Sequence, residues 1–205
     1  MRKKKPRRRL DADAARELIM DVTEKQLAAV GPSGIRLQDV AREAGVSHPT
    51  VLHHFGSRAE LVKAVIARSL RAINESLVDA INASAGDETK LETILENVAI
   101  ALEKSGNARV MMWLALEGHR IEPAEAHLRD VVDAAHALRV SRRDGKPIPH
   151  RDDTARAIVL TTLALLSTAV IGEPIFENAG LEGRARDPKT FRAWLAKVLI
   201  AHLEA

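Results

Sequence analysis

The stretch from Leu37 to Leu61, LQDVAREAGVSHPTVLHHFGSRAEL, constrains this chain more than any other part of it. Leu37, Val40, Ala41 and Ala44 recur at the spacing of one helical face, which predicts a short amphipathic helix. Gly45 follows where left-handed backbone costs least, because glycine has no Cβ. Ser47 supplies an N-cap for a second short helix. Pro49 falls in that helix's first turn, where a missing N–H is no loss. Since Pro49 has no proton to donate, the Ser47 hydroxyl is expected to accept from the N–H of Thr50. Two short helices joined by a tight glycine-containing turn make a helix-turn-helix, whose second helix can enter a DNA major groove.

Ser57 and Glu60 match a capping box, in which each side chain satisfies a backbone N–H of the other residue. They open a longer helix with Leu61, Val62, Val65, Ile66, Ile73, Leu77 and Ile81 on one face, expected to run to residue 84 before Gly86 and Asp87 break it. Ahead of the motif, residues 11–30 read as a helix with Leu18, Val22, Leu27 and Ala29 turned inward, ended by Gly31-Pro32-Ser33-Gly34. Residues 10–56 thus form a three-helix unit. So short a segment buries little surface alone, and it is expected to depend on packing against the helix that starts at Ser57.

Beyond that point Leu91, Ile94, Leu95, Val98 and Leu102 mark another amphipathic helix, closed by Ser105-Gly106-Asn107. The nearly all-apolar segment from Val110 to Leu116, with Trp113, is expected to be deeply buried. Pro123 suits the first turn of a helix with Leu128, Val131, Val132, Ala135 and Leu138 inward, and residues 142–149 read as an exposed loop. The uncharged run from Ala157 to Gly172 is apolar on all sides, must be covered on all sides, and is expected to end at Glu173-Pro174. Asp187-Pro188 opens a last helix with Phe191, Leu195, Val198, Leu199 and His202 along one side. No segment alternates with a period of two. The fold class is therefore all-α, with about nine helices.

Several function classes are excluded or weakened by composition. There is no cysteine, so thiolate nucleophiles, disulfide frameworks and Cys-based zinc sites are ruled out. The charged N-terminus lacks the apolar core of a signal peptide. The run from Ala157 to Gly172 is short for a bilayer span and contains Thr161, Thr162, Ser167 and Thr168, so no membrane partner and a cytoplasmic location are expected.

Residues 2–9, RKKKPRRR, hold seven of the 31 basic residues; without them 24 basic residues face 28 acidic ones. The positive field is thus concentrated in a basic, disordered arm over residues 1–9, which can order on DNA phosphates through Arg7, Arg8 and Arg9. As a free chain, a block of like charges is also an ordinary solvated tail.

The order Asp39-Val40-Ala41, Ala44-Gly45-Val46-Ser47, Thr50-Val51, His53-His54-Phe55 and Ser57-Arg58 resembles the tetracycline-repressor (TetR) family of transcriptional regulators. The likeness is dense from Arg36 to Leu61 and fades beyond. It implies that residues 10–56 bind DNA and that residues 57–205 form an α-helical effector-binding and dimerisation domain. By position in the family motif, Gln38, His48 and Pro49 are expected at bases, and Arg36, Thr50, His54 and Arg58 at phosphates. Gln38 can pair in bidentate fashion with adenine and Pro49 can touch a thymine methyl. Leu52 departs from the family pattern, which usually has Tyr there; a leucine offers only apolar contact.

The resemblance further implies a homodimer on a palindromic double-stranded operator, released by a small-molecule effector of unknown identity. Repression is the family's commoner logic. Leu165, Phe191, Leu195 and Val198 are expected at the dimer interface, and Met112, Trp113 and Glu117 in the effector pocket. With five aromatic residues and no tyrosine, an aliphatic or mixed pocket is expected rather than a cage of stacked rings.

Two other classes compete. A ligand-independent architectural DNA binder would account for the basic arm but not for the bulk of residues 57–205. A metal-dependent enzyme could draw ligands from Glu117, His119, His127, Asp133 and His136, yet these also read as an ordinary polar helix surface. HExxH is absent, and adjacent His53 and His54 point about 100° apart on a helix. No phosphate loop or nucleophile elbow occurs, so neither catalysis, a cofactor nor a metal is expected.

Overall fold

The computed structural model describes residues 11–83, 89–104, 106–119, 128–142 and 147–204. Among these, every regular element is helical. The order is α1 (Ala12–Gly34), α2 (Leu37–Glu43), α3 (His48–Phe55), α4 (Arg58–Ala83), α5 (Thr89–Lys104), α6 (Asn107–Leu116), α7 (Leu128–Ser141), α8 (Arg151–Asn178), a 3₁₀ turn over Gly183–Arg186, and α9 (Pro188–Glu204). The expectations for the basic arm, Gly86, Asp87, Ser105, Pro123 and residues 143–146 lie outside the described residues. Two compact units divide within α4, between Val65 and Ile66.

In the first unit α2 packs against both α1 and α3. The core holds Ile19, Met20, Val22 and Leu27 of α1, Ile35, Val40 and Ala41, Val51 and Phe55 of α3, and Leu61, Val62 and Val65 from the opening turns of α4. Those last three are the apolar complement that so short a unit needs. Leu18 is half-buried and Ala29 exposed, so the inward face of α1 is narrower than its composition predicts. Gly31, at φ 68 and ψ 174, breaks α1 as expected, and a short turn follows that places Ile35 in the core. Thr23 is fully buried because its hydroxyl donates to the Ile19 carbonyl at 2.7 Å. Arg16 lies 5.1 Å from the Phe55 ring centroid, and Gln26 donates to Glu43 at 2.7 Å, tying α1 to α3 and α2.

The second unit is organised on α5, α8 and α9. Leu95, Ala99 and Leu102 of α5, Ala108 of α6, Ala157 and Leu165 of α8, and Leu195, Ala196 and Leu199 of α9 form one buried cluster. Arg192 is 3% exposed. It donates to Glu96 at 2.7 Å and to Glu103 at 3.4 Å, a charged clamp between α9 and α5 that removes the cost of burying an isolated cation. A second polar set joins α7, α8 and α9. Arg139 donates to Asp153 and Thr154, His136 shares a hydrogen bond with Thr154 at 3.1 Å, and His202 lies 3.1 Å from Asp153.

Three expectations are corrected. The segment from Val110 to Leu116 is not deeply buried: only Val110 and Leu114 face inward, and Leu116 is 87% exposed. A ten-residue helix packed on α5 and α8 from one side covers a single stripe, whatever its composition.

Glu173-Pro174 does not end α8, which continues to Asn178 with Pro174 inside it. The continuation carries Phe176 into the interior, 5.4 Å from the Phe191 ring. The helix closes instead at Gly180 (φ 73), where the Gly180 N–H donates to Glu177 and the Leu181 N–H to Phe176. At 28 residues α8 is long and apolar enough by composition to cross a membrane, which the uncharged run alone is not. Within the uncharged run Thr161, Thr162 and Thr168 need no outside partner, since each donates to the carbonyl four residues earlier.

The third correction concerns α9. Its buried stripe is Arg192, Leu195, Ala196 and Leu199, whereas Val198 and His202 are exposed. The expected stripe mixed two faces because a charged residue was excluded from the inward one.

Candidate nucleic-acid interface

The turn between α2 and α3 is built as its residues dictate. Gly45 takes φ +67; its N–H donates to Arg42 and that of Val46 to Ala41, closing α2. The Ser47 hydroxyl accepts from the Thr50 N–H at 3.2 Å, and Pro49 sits in the first turn. The Thr50 N–H is shared, lying 3.0 Å from the Ser47 carbonyl as well. The Ser57 hydroxyl accepts from the Glu60 N–H at 3.2 Å. The reciprocal half of the capping box is not made: the Ser57 N–H donates to the Phe55 carbonyl at 2.8 Å, so Glu60 is left to reach Lys63 at 3.9 Å.

Val51 and Phe55 anchor α3 in the core. Pro49, Leu52 and His53 are exposed, while His48, Thr50 and His54 are half-buried. Thr50 turns its hydroxyl to Ser47, 2.7 Å away, and the His54 ring lies 5.6 Å from His53 and 6.2 Å from Phe55. Gln38 is exposed on α2. Arg36 occupies the N-cap of α2 without a side-chain cap, so its exposed guanidinium is not spent on the helix end. Arg58 is exposed in the first turn of α4. No acidic residue lies between Glu43 and Glu60, so α3 and both its flanking turns lack negative side chains. This arrangement suits an approach to a polyanion.

The other expected residues are placed in the second unit. Leu165 and Leu195 are each 4% exposed and belong to the chain's own core rather than to an outer face. Phe191 is half-buried and Val198 exposed. On α8 and α9 the large apolar residues turned outward are Val159, Leu160, Leu163, Ile171 and Ile175, with Trp194 and Val198. Of the residues expected at an interface, Val198 lies among these; the α8 residues and Trp194 were not named, although the all-round apolar run from Ala157 to Gly172 carried their signal as a second stripe opposite Leu165.

Met112 and Glu117 are exposed, and Trp113 is half-buried with its ring 6.4 Å from His119. None of the three lines the cleft of about 310 Å³ formed by Asn74, Glu75, Val78 and Asp79 of α4 with Asp130 of α7. Asp133 accepts from Arg151 at 2.7 Å and His136 faces Thr154, so these two polar side chains hold helices together. His127 lies outside the described residues. Asp153 has its carboxyl held below the usual carboxylate range, first by the hydrogen bond from Arg139, with His202 adding to it against partial burial.

Residues 19–65 match the family described as bacterial regulatory proteins, tetR family. Over 109 residues the chain is 30% identical to the HTH-type transcriptional regulator BetI of Agrobacterium fabrum, a match covering 52% of each protein. A BetI regulator of Rhizobium meliloti is 26% identical over 100 residues, 49% of each. The chain thus spans about half the length of the relatives it matches. In fold it is similar to a tetR-family transcriptional regulator from Streptomyces coelicolor, with a TM-score of 0.62 at 18% identity, covering 94% of this chain and 82% of that one. It is likewise similar to the regulator FadR of Bacillus subtilis, solved with stearoyl-CoA, with a TM-score of 0.58 at 13% identity, covering 91% and 98%.

Proposed function

We propose that this chain, which belongs to the TetR family of transcriptional regulators, is a repressor that binds a palindromic operator as a homodimer and leaves it when a small molecule binds. The observation that carries the reading is α3: capped by Ser47, anchored by Val51 and Phe55, and presenting Pro49, Leu52 and His53 outward on a stretch of sequence with no acidic residue between Glu43 and Glu60. In this reading Gln38, His48 and Pro49 meet bases, while Arg36, Thr50, His54, Arg58 and the arm residues Arg7, Arg8 and Arg9 meet phosphates. A recognition helix reads bases with its leading turn, and a two-fold dimer presents two such helices about 34 Å apart.

The second copy is the occupant that the outward apolar residues of α8 and α9 call for, since exposed apolar patches of this kind mark association surfaces. The effector binds the second unit. Its affinity must differ between the DNA-bound and released arrangements, because a ligand shifts an equilibrium only by that difference. The scarcity of aromatic residues favours an effector with a substantial aliphatic part, and FadR, solved with an acyl-CoA, is a relative in fold that holds one. The protein works in the cytoplasm, without a membrane partner, cofactor or catalytic step.

The test is selection of bound fragments from random duplex DNA, repeated while acyl-CoAs and other aliphatic compounds are titrated in. A two-fold symmetric consensus that disappears with one compound supports the reading. Binding without sequence preference, indifferent to every compound, points to the architectural alternative. Deletion of Arg2 to Arg9 should weaken all sequences alike and flatten the salt dependence, by about 0.9 in log–log slope for each phosphate the arm had neutralised.

A further inference from the structure

We infer that Leu52 is a specificity residue that reads the 5-methyl group of thymine, resting on the DNA-binding reading of α3. The side chain is 38% exposed on a helix whose other large apolar residues, Val51 and Phe55, fill the core. At 3.6 residues per turn, Leu52 and Pro49 stand about 60° apart on the outward arc, between half-buried His48 and His53, which points directly away from Val51 and Phe55. They are separated by about 4.5 Å along the axis, close to the roughly 3.4 Å spacing of bases along a strand.

The exposed part of the Leu52 side chain offers an apolar surface to whatever meets α3. Of the major-groove base edges, only thymine's presents a methyl group, and apolar side chains are what read it. One leucine and one proline are far too small a patch for a protein partner, which takes about 800 Å² per side. The surroundings instead match DNA: Arg36 and Arg58 lie on the adjoining elements, and no carboxylate occurs between Glu43 and Glu60. Leu52 therefore adds an apolar contact one turn beyond the leading residues of α3, and widens the stretch of sequence the helix can read.

The experiment begins with the operator selected by the full chain. Each thymine is replaced in turn by deoxyuridine, which removes only the 5-methyl group, and binding is measured at fixed salt for wild type, Leu52→Ala, Leu52→Met and Leu52→Gln. Thermal melting checks the fold of each variant. Wild type should weaken about fourfold at one symmetry-related pair of thymines, the change expected for burying one methyl-sized group.

Leu52→Ala and Leu52→Gln should bind the thymine and uracil operators alike at that pair, while Leu52→Met keeps most of the discrimination. Thymines read by Pro49 should stay sensitive in all variants. A selected operator in which no methyl matters, or a ratio unchanged in Leu52→Ala and Leu52→Gln, overturns the inference and leaves the DNA-binding reading standing. A chain that selects no sequence at all sinks that reading, and this inference with it.

Discussion

The Ser47 hydroxyl oxygen lies 2.7 Å from the hydroxyl of Thr50 and 3.2 Å from its backbone nitrogen, so one side chain caps α3 and also holds Thr50. The Thr50 N–H keeps a second acceptor in the Ser47 carbonyl at 3.0 Å. Ser47→Ala therefore belongs at the mild end of cap losses, about 0.5–1 kcal/mol, read as a lowered urea midpoint with an unchanged slope. Ser47→Asp should keep the cap but put a carboxylate against the phosphates. It should hold its stability and lose affinity for every DNA sequence, a split that separates the two roles of this position.

His48 and Arg58 should divide between specificity and affinity. His48 stands in the leading turn of α3, and its imidazole can donate to or accept from a base edge. Arg58 sits in the first turn of α4, where the helix dipole disfavours a cation, and an external phosphate suits it. Phosphates look alike in every sequence and base edges do not. His48→Ala should relax preference at one symmetric pair of positions, costing about 1–3 kcal/mol on the preferred operator. Arg58→Ala should weaken all sequences nearly equally. Titration of both variants against the operator and its single-base substitutions decides; the inverse pattern would mean that the two roles are exchanged.

How far the chain could be read from its residues differs between the two units, for a physical reason. The helix-turn-helix is specified locally: Gly45 must turn, Ser47 must cap and Pro49 must lead, and each constraint acts within a few residues. All three are met as expected. The faces of α8 and α9 are decided by what packs against them. Arg192 looks like a surface cation until Glu96 and Glu103 of α5 are brought to it, roughly ninety residues away in sequence. Its burial turns α9 so that Trp194 and Val198 face outward. Pro174 reads as a helix stop because its ring and missing N–H disfavour continuation, yet the burial of Phe176 holds the next turn. Leu52 was legible as a departure from the family pattern, but its outward position needed the structure.

Asp153 makes stability depend on acidity in a defined direction. Its folded pKa is depressed, chiefly by the Arg139 hydrogen bond, so its contribution is present above the unfolded value near 3.8 and is lost as pH falls through the folded one. Asp153→Asn should lower the urea midpoint at pH 7, and the gap to wild type should close as the pH is taken from about 4 downward. A gap that persists unchanged at the lowest accessible pH would assign the loss to packing rather than to charge. His202→Ala should reproduce only a small part of the effect, because Arg139 holds the other carboxylate oxygen.

The last prediction contrasts two leucines on one helix. Leu163 is 57% exposed and Leu165, two residues on, is 4% exposed within the cluster formed with α5 and α9. Successive helical positions turn by about 100°, so residues two apart face nearly opposite ways. If a second copy covers the outward face, Leu163→Arg places a charge where the partner must dehydrate it. The chain should then sediment at half the wild-type mass while keeping its helical circular dichroism. Affinity for a two-fold operator should fall, since each monomer reads only half a site.

Leu165→Ala removes core volume in either state and should cost about 2–5 kcal/mol of folding stability whether or not a dimer forms. It should also leave the mass of the remaining folded protein unchanged. Leu165→Arg should fail to fold, because no partner for the charge exists in an apolar cluster. Sedimentation of wild type and Leu163→Arg at micromolar concentration is the decisive comparison. Equal masses for the two would mean that the outward face of α8 is not where copies of this chain meet.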